Sequence, residues 1–283
     1  MSSLLSKTDI RLIVTDMDGT FLDSCATVPE ENRSVVRQLS ASGIPVIFCT
    51  GRPVSFVREY VRMTGASEIV IGCNGAAIQN STTDELLEAT VIAPSAAESV
   101  LSFCTAHHLD CCAYTASGTV FFSKESERIA VFRAYNERAA YTGGIPVPLL
   151  PLETYGESVL PPVCKILITE LQSGDIQRVT QHLQNRDDVS AVSSMHGVLD
   201  IMAAPVSKGV AVKKIAEIFK VPVKQIGAIG DNRNDVSMFS VVGVSVCMHN
   251  GVDEAKRRAT YVTRRTNDEA GFAEAVRIVL RGK

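Results

Sequence analysis

The sequence predicts an α/β protein in which a doubly wound, mostly parallel sheet carries an inserted α+β segment. Short apolar runs alternate with helical patterns over about the first 75 residues, and the same alternation returns after residue 204. Nearly continuous apolar strands separated by helices are typical of parallel sheets that are covered on both faces. The residues between these two stretches show alternating strands and turn clusters instead, which indicates a separate α+β unit.

The first stretch predicts three strands and two helices of a Rossmann-like core. Pro29 and Gly43 bracket the first helix, as expected of residues that begin and end helices. Because helices separate the strands, the three strands are expected to lie parallel in one sheet. The predicted strands are 10–14, 44–49 and 68–72, and the predicted helices are 30–42 and 54–64.

The later stretch repeats the pattern and completes the core. Its predicted strands are 226–229, 242–247 and 261–263, and its predicted helices are 207–219 and 271–280. The middle segment predicts strands at 119–123, 164–170, 191–195 and 199–202 and helices at 97–107, 125–139 and 175–183. We therefore expect residues 1–92 and 204–283 to form the core and residues 93–203 to form an inserted α+β cap, with hinges at Ala93-Pro94 and Ala204-Pro205.

Composition narrows the classes of function. The 283-residue chain is 46% hydrophobic and carries a net charge of −3, so it can bury a sizeable core and is not expected to bind nucleic acid. It has no apolar run of about 18 residues and begins with a polar segment, so neither a membrane span nor a signal peptide is expected. Its eight cysteines include no C-x-x-C pair, which favours reduced core cysteines of a cytoplasmic protein over a zinc site.

Polar residues collect at the ends of the predicted core strands and at the start of one core helix. The carboxyl ends of parallel strands meet at one edge of a sheet, where ligands bind. Carboxylates that converge there raise one another's pKa unless a hard cation such as Mg²⁺ joins them, and a nearby lysine and hydroxyl could bind phosphate oxygens. An aspartate can also accept a phosphoryl group. The residues in question are Asp16, Asp18, Thr50, Lys208, Asp231, Asn234 and Asp235.

None of these residues is informative alone. An aspartate after a strand is most often a turn or helix-capping residue, and a lysine in a first helical turn is usually solvated. Thr50-Gly51-Arg52 alone would be an ordinary strand-to-helix turn. Their joint occurrence, in this order and after these strands, favours a phosphoryl-transfer site.

The same residues resemble the motifs of the haloacid dehalogenase superfamily, and within it the Cof-type phosphatases. Asp16-Met17-Asp18-Gly19-Thr20 resembles the first motif, D-x-D-G-T. Thr50 resembles the second motif, Lys208 the third, and Gly230-Asp231-Asn232-Arg233-Asn234-Asp235 the fourth. Asn74-Gly75-Ala76 is similar to a segment typical of this subgroup. The insert falls between the second and third motifs, which resembles the cap type that the family calls C2B.

This resemblance implies a role for each residue. Asp16 would attack the phosphorus and become an aspartyl phosphate, while Asp18 would protonate the leaving group and then activate water. A neighbouring carboxylate would favour the protonated form of Asp18. Mg²⁺ would be held by Asp16, the backbone carbonyl of Asp18 and Asp231. The remaining implied roles are phosphate or substrate binding for Thr50, Gly51, Arg52 and Asn234, charge stabilisation for Lys208, and support of Asp231 by Asp235.

The resemblance also implies a substrate class and leaves two alternatives open. A large cap over the site favours a small phosphorylated metabolite such as a sugar phosphate rather than a phosphoprotein. The alternatives are a phosphomutase, which returns the phosphoryl group to a sugar, and a non-catalytic protein that senses the ligand. The sequence indicates neither an oligomeric state nor a role for His249, which replaces a smaller residue of the family pattern. Candidate cap residues for specificity are His107, His108, Tyr114, Arg133 and His196.

Overall fold

The structure is a computed structural model that describes residues 9–142, 144–155, 161–195 and 197–281. Its strands are β1 (Leu12–Thr15), β2 (Val46–Phe48), β3 (Ile69–Gly72), β4 (Ala77–Asn80), β5 (Leu86–Ala89), β6 (Asp110–Thr115), β7 (Val120–Phe122), β8 (Leu149–Pro151), β9 (Val163–Thr169), β10 (Val189–Met195), β11 (Val198–Ala203), β12 (Ile226–Gly230), β13 (Val244–Cys247) and β14 (Tyr261–Val262). Its helices are α1 (Glu30–Ala41), α2 (Arg58–Thr64), α3 (Pro94–Ala106), α4 (Glu127–Thr142), α5 (Ser173–Leu183), α6 (Lys208–Ile218), α7 (Val236–Phe239), α8 (Asp253–Arg258) and α9 (Gly271–Arg281). In the described part of the chain, no helix has both the length and the apolar composition needed to cross a bilayer.

The core sheet is parallel and has the strand order β14-β13-β12-β1-β2, so β1 lies inside it. Side chains of β1 alternate between two apolar layers. Ile13 belongs to the layer that contains residues of α1, α2 and α9, whereas Leu12 and Val14 belong to the layer with residues of α6 and α7. The predicted doubly wound sheet with helices on both faces is therefore confirmed.

The third predicted strand departs from the simple parallel arrangement. β3 lies parallel beside β2 through one bridge, Cys49–Ile71, and then pairs antiparallel with β4. β4 in turn pairs antiparallel with β5. These two strands were not predicted because each includes polar residues and so lacks the nearly continuous apolar run that marks β1 and β3, which are equally short.

A second sheet, of six strands, lies between residues 110 and 203 with the order β10-β11-β9-β6-β7-β8. Its pairs are antiparallel except for β7 with β8. Apolar residues of α3, α4 and α5 pack with it in one cluster. We call residues 94–203 the cap. The boundaries at 92/93 and 203/204 stay a prediction.

Most of the cap elements lie within a few residues of the predicted ranges, but β6 and β8 were not predicted. β6 begins and ends with buried polar residues, Asp110 and Thr115, so its sequence does not form the apolar run that predicts a buried strand. β8 has only three residues. In the core, the predicted helix at 54–64 divides into a 3₁₀ turn, Val54–Phe56, followed by α2.

The cysteines follow the expectation with one exception. All eight are free, and seven are buried. Cys25 is exposed. Cys111 and Cys112 point to opposite faces of β6, and both are buried because both faces of that strand are covered.

Candidate active site

The residues singled out in the sequence meet at the carboxyl edge of the core sheet. Asp16 follows β1, Thr50 follows β2, and Asp231 follows β12. Because β1 pairs with both β2 and β12, Asp16 lies between the other two. Lys208 is the first residue of α6. The start of this helix is fixed by Ser207, whose hydroxyl accepts a hydrogen bond from a backbone N–H of the first turn.

Lys208 joins two of the acidic residues. Its Nζ lies 2.6 Å from Oδ1 of Asp16 and 2.6 Å from Oδ1 of Asp235, and the lysine side chain is fully buried. Although burial disfavours a charge here, the carboxylates of Asp16 and Asp235 raise the pKa of Lys208. The lysine therefore stays protonated, holds Asp16 in place and supplies a positive charge beside it.

The loop after β12 fixes the position of Asp231. Oδ2 of Asp235 accepts hydrogen bonds from the N–H groups of Asp231 at 2.8 Å and Asn232 at 2.9 Å. The hydroxyl of Thr20 donates to Oδ1 of Asp231 at 2.6 Å. Gly19 has φ +74° and approaches so closely that a Cβ there would lie 2.7 Å from Oδ2 of Asp231. The first motif thus helps to position a carboxylate of the fourth.

Asp16, Asp231 and Asp235 form a group suited to a cation, since ligand oxygens of the three lie within 4.8 Å of one another. Burial and the neighbouring carboxylates raise the pKa of Asp16 to about 7, against the opposing charge of Lys208, and raise that of Asp231 well above its ordinary value. A divalent cation would remove this repulsion, and an all-oxygen donor set fits Mg²⁺. Asp235 already uses both oxygens for Lys208 and backbone N–H groups. Among the described residues, Asp16 and Asp231 are the members that keep an oxygen for the ion.

Asp18 does not join this cluster with its side chain. Its carboxylate is 55% exposed and pairs with Arg52, with Nε to Oδ2 at 2.8 Å and Nη2 to Oδ1 at 2.5 Å. Desolvation would raise the pKa of Asp18, but the hydrogen bonds and charge of Arg52 outweigh it and lower the pKa. The expectation that a neighbouring carboxylate favours the protonated form is therefore wrong for this conformation.

Arg52 is held by more than this ion pair. Its guanidinium carbon lies 4.8 Å from the ring centroid of Phe56 and 5.4 Å from that of Tyr60. The arginine side chain is only 13% exposed. It thus lies between Asp18, at the carboxyl edge of the core sheet, and Phe56, whose ring also packs against Phe132 of the cap.

Asn74 links the loops of the second and fourth motifs. Its N–H donates to the carbonyl of Thr50 at 2.9 Å, and its Oδ1 accepts from Nδ2 of Asn234 at 3.0 Å. A Cβ on Gly51 would lie 3.1 Å from the same Oδ1. The sequence pointed to Asn74 only as part of a subgroup segment, and its contacts make it a further candidate site residue.

The cap contributes a buried ion pair to the site. Nζ of Lys165, on β9, lies 2.7 Å from Oδ1 of Asp200, on β11, and donates to the carbonyl of Gly51 at 2.7 Å. Oδ2 of Asp200 accepts from Nδ2 of Asn74 at 3.0 Å. Neither charged residue was predicted. The available signal was a single charge inside an otherwise apolar strand, which is rare unless a partner lies opposite.

A cavity of about 310 Å³ lies between this edge of the core and the cap. On the core side it is lined by the motif residues, including Asp16, Asp18, Thr50 and Asp231. On the cap side it is lined by Lys165, Asp200, Arg128 and an apolar wall. The members of that wall are Tyr114, Val131, Phe132, Leu167 and Val198.

Tyr114 is the candidate cap residue that the structure brings to the cavity. His107 packs against Phe103, with ring centroids 4.3 Å apart, and Arg133 pairs with Glu125 on the surface. His108 lines a different groove of the cap. His196 lies outside the described residues. His249, on the core, is exposed, and its N–H donates to the hydroxyl of Thr263.

The chain is similar to known proteins along most of its length. A model of the haloacid dehalogenase-like hydrolases matches residues 13–276. The chain is 25% identical over 288 residues to the 5-amino-6-(5-phospho-D-ribitylamino)uracil phosphatase YwtE of Bacillus subtilis, with 97% of this chain and 99% of the relative covered. It is 27% identical over 287 residues to phosphatase YwpJ of the same organism, with 96% and 100% covered. A solved haloacid dehalogenase-like hydrolase from B. subtilis aligns with a TM-score of 0.81 at 26% identity, covering 94% of this chain and 99% of that one.

Proposed function

Since the chain belongs to the haloacid dehalogenase-like hydrolases, we propose that it is a cytoplasmic, Mg²⁺-dependent phosphatase that hydrolyses a small phosphorylated metabolite through an aspartyl phosphate. The observation that carries this proposal is the buried Asp16, held by Lys208 and lying in one acidic group with Asp231. A carboxylate that is held by an ammonium group and belongs to a cluster able to bind a metal ion is suited to act as a nucleophile. The names of the two relatives, both phosphatases, support the same reaction.

In the first half of the reaction Asp16 attacks the phosphorus in line with the ester bond. The bond between phosphorus and the leaving oxygen breaks, and Asp18 gives its proton to that oxygen. In the second half Asp18 takes a proton from water, the water attacks the phosphorus, and phosphate leaves with Asp16 restored. Because Asp18 is paired with Arg52 and its pKa is lowered, binding of substrate has to draw Arg52 away before Asp18 can carry the proton.

The residues present fit Mg²⁺, which would neutralise charge on the transferring group when bound. Asp16 and Asp231 would hold it with their free carboxylate oxygens, together with the backbone carbonyl of Asp18. Asp235 would act indirectly, because its hydrogen bonds fix both Lys208 and the backbone of Asp231. Loss of Asp235 should therefore impair metal affinity without removing a ligand.

The phosphoryl group would lie between Asp16 and the loop of the second motif. Thr50 would donate its hydroxyl, Gly51 its N–H, and Lys208 its charge. Asn234 would contact the phosphate or hold Asn74, to which it already donates a hydrogen bond. These groups are fixed before substrate arrives, so they cost little reorganisation during the reaction.

The substrate would be a small metabolite such as a sugar phosphate. A cavity of about 310 Å³ is at the lower end of the range for small-molecule sites. The relative YwtE is named for a phosphorylated ribityl compound, which is also a polyol phosphate. Free, mostly buried cysteines favour a reducing compartment.

The decisive test is Asp16→Asn, assayed for phosphate release from p-nitrophenyl phosphate and a panel of sugar phosphates. Asparagine keeps the shape but cannot form the aspartyl phosphate, so we expect kcat to fall by more than about 10³-fold while the variant still folds. Asp253→Asn, on the exposed start of α8, is the matched control and should retain full activity. EDTA should abolish activity and Mg²⁺ should restore it.

Three outcomes would overturn the proposal. Turnover by Asp16→Asn close to that of the wild type would exclude the nucleophile. Conversion of a hexose 1-phosphate into its 6-phosphate without free phosphate would indicate a phosphomutase. Binding of phosphate esters by the wild type without any turnover would indicate a ligand sensor.

A further inference from the structure

Arg128 stands out among the charged side chains that line the cavity. Each of the other cationic residues there has a carboxylate partner: Arg52 pairs with Asp18, and Lys165 pairs with Asp200. Arg128, in the first turn of α4, lines the same cavity with no hydrogen bond or ion pair from its guanidinium within the ranges that the structure describes. A half-buried guanidinium without a partner is unusual, because its five donors lose water without replacing it.

Among the described residues, the carboxylate whose charge acts on Arg128 is that of Asp18, and its two oxygens are already bound by Arg52. On its own helix the cavity-facing neighbours are Val131 and Phe132. Across from them, Tyr114 of β6 packs edge-on to Phe132 with centroids 6.0 Å apart, and Phe56 of the core lies 4.7 Å from the same ring. An apolar wall of this kind weakens screening by water and strengthens any ion pair formed beside it.

Arg128 lines the cavity from the cap side. Asp16 and Asp231 line the cavity at the edge of the core sheet, and Lys208, which contacts Asp16, is fully buried. Arg128 comes from the cap, and its charge contributes to lowering the pKa of Asp18, the residue that would protonate the leaving oxygen. Arg128 and Asp18, the proposed proton donor, thus line the same cavity, Arg128 from the cap and Asp18 from the core.

We propose that Arg128 binds a second anionic group, a carboxylate or a second phosphate, carried by the leaving group of the substrate. A guanidinium matches either anion with two parallel N–H···O bonds. Arg128 is then a specificity-determining residue: it selects phosphorylated sugar acids and bisphosphates over phosphate esters whose remaining part is neutral. The kinetic test of this inference rests on the proposed phosphatase activity, whereas a test by ligand binding does not.

The kinetic test compares matched esters in the wild type and in Arg128→Gln. The probes are 6-phosphogluconate, which carries a carboxylate, fructose 1,6-bisphosphate, which carries a second phosphate, and glucose 6-phosphate, whose remaining part is neutral. We expect the ratio of kcat/KM for either charged ester to that for glucose 6-phosphate to fall by about 10-fold or more in Arg128→Gln. Arg128→Lys should recover part of the ratio because it keeps the charge. The matched control is Arg133→Gln, on the same helix but paired with Glu125 at the surface, and its ratio should not change.

The binding test removes the dependence on turnover. Calorimetry with Asp16→Asn in the presence of Mg²⁺ should give tighter binding of 6-phosphogluconate than of glucose 6-phosphate, and adding Arg128→Gln should remove that difference. An unchanged ratio in both tests overturns the proposal, and equal losses for all three esters would assign Arg128 to the transferred phosphate instead. If no ester is turned over but the binding difference depends on Arg128, the proposed phosphatase activity fails while the assignment of Arg128 stands.

Discussion

Asp16 and Asp231 are two carboxylates that the fold keeps buried and close together. Their raised pKa values mean that the folded chain without metal binds protons more tightly than the unfolded chain does. For Asp16 the interval runs from the ordinary value of 3.8 to about 7. Over this interval the metal-free protein should lose stability as pH rises, because folding takes up a proton that becomes scarcer with rising pH.

The first prediction at this scale concerns Mg²⁺ and pH. Because the ion needs these carboxylates deprotonated, its stabilising effect should be small at about pH 5 and grow towards about pH 8. The measurement is the shift in unfolding temperature on adding Mg²⁺ at each pH. Asp231→Asn should lose most of the shift, while Asp253→Asn should keep it. A shift that is larger at the acidic end would contradict the assignment of these two carboxylates to the ion.

A second prediction at this scale uses two glycines with nearly the same backbone conformation. Gly19 has φ +74° and Gly43 has φ +77°, but a Cβ would lie 2.7 Å from Asp231 at the first position and within 4 Å of nothing at the second. Gly19→Ala and Gly43→Ala should each cost about 1–2 kcal/mol of unfolding free energy for the left-handed conformation. In addition, Gly19→Ala should weaken Mg²⁺ binding by displacing Asp231, as followed by metal titration of activity. Equal metal affinities in the two variants would show that the close approach is unimportant.

Which site residues the sequence could predict depends on where their partners lie. Asp16, Lys208 and Asp231 follow core strands or begin a core helix, so their convergence follows from the parallel sheet. Arg128 and Lys165 come from the cap, and nothing in the sequence says which face of the cap turns towards the core. The sequence also could not predict the pairing of Asp18 with Arg52, because this pairing depends on side-chain rotamers rather than on strand order.

At the scale of elements, the contact between β9, β11 and the loop after β2 links the cap to the edge of the core sheet where the motif residues meet. Lys165 and Asp200 are both almost fully buried, and together they bind Gly51 and Asn74. A buried ion pair contributes little net stability, but removal of one partner leaves the other charge unpaired. Its function here would be to fix the cap sheet against the second-motif loop.

The prediction for this contact separates stability from activity. Asp200→Asn should lower the free energy of unfolding by about 3–5 kcal/mol, since the ammonium of Lys165 stays buried. The double variant Lys165→Met with Asp200→Leu should recover most of that loss yet remain poorly active, because the link to Gly51 is gone. Glu170→Gln, which breaks an exposed cap ion pair with Lys124, should cost less than about 1 kcal/mol. Chemical denaturation and phosphate release measure the two effects, and a fully active double variant would contradict the role in positioning.

Elements were predictable where they are long and apolar on one face. α1 and α6 lie within a residue or two of their predicted ranges because capping residues and apolar periodicity agree. β4, β5 and β8 escaped prediction because each is short and contains polar residues or a proline, whereas the equally short β1 and β2 are nearly continuous apolar runs. Their positions are determined by neighbouring strands that supply hydrogen bonds, which the local sequence does not record.

At the scale of the whole molecule, one apolar cluster crosses from the core into the cap. The ring of Phe56, in the core, lies 4.7 Å from that of Phe132 and 4.4 Å from that of Tyr135, both on α4 of the cap. The hydroxyl of Tyr135 also donates to the carbonyl of Ser55 at 3.0 Å. Because the two parts share this packing, we expect them to unfold together.

The prediction at this scale is that wild-type unfolding is a single transition whose calorimetric and van 't Hoff enthalpies agree. Phe56→Ala should cost about 3–5 kcal/mol and divide the transition into two, because it removes the shared ring. Phe21→Ala, between Phe48 and Phe272 inside the core, should cost a similar amount while the transition stays single. Two transitions already present in the wild type would mean that the cap and the core are energetically independent.

The pairing of β1 with β12 also sets an order of events during synthesis. Thr20 and Asp231, which bond in the finished site, are 211 positions apart. At translation rates of about 5–20 residues per second, about 10–40 s pass between their emergence from the ribosome. The cap sheet, whose strands lie between residues 110 and 203, is complete before β12 exists. Until β12 is synthesised, the backbone N–H and C=O groups on that edge of β1 lack the strand with which they pair in the finished sheet.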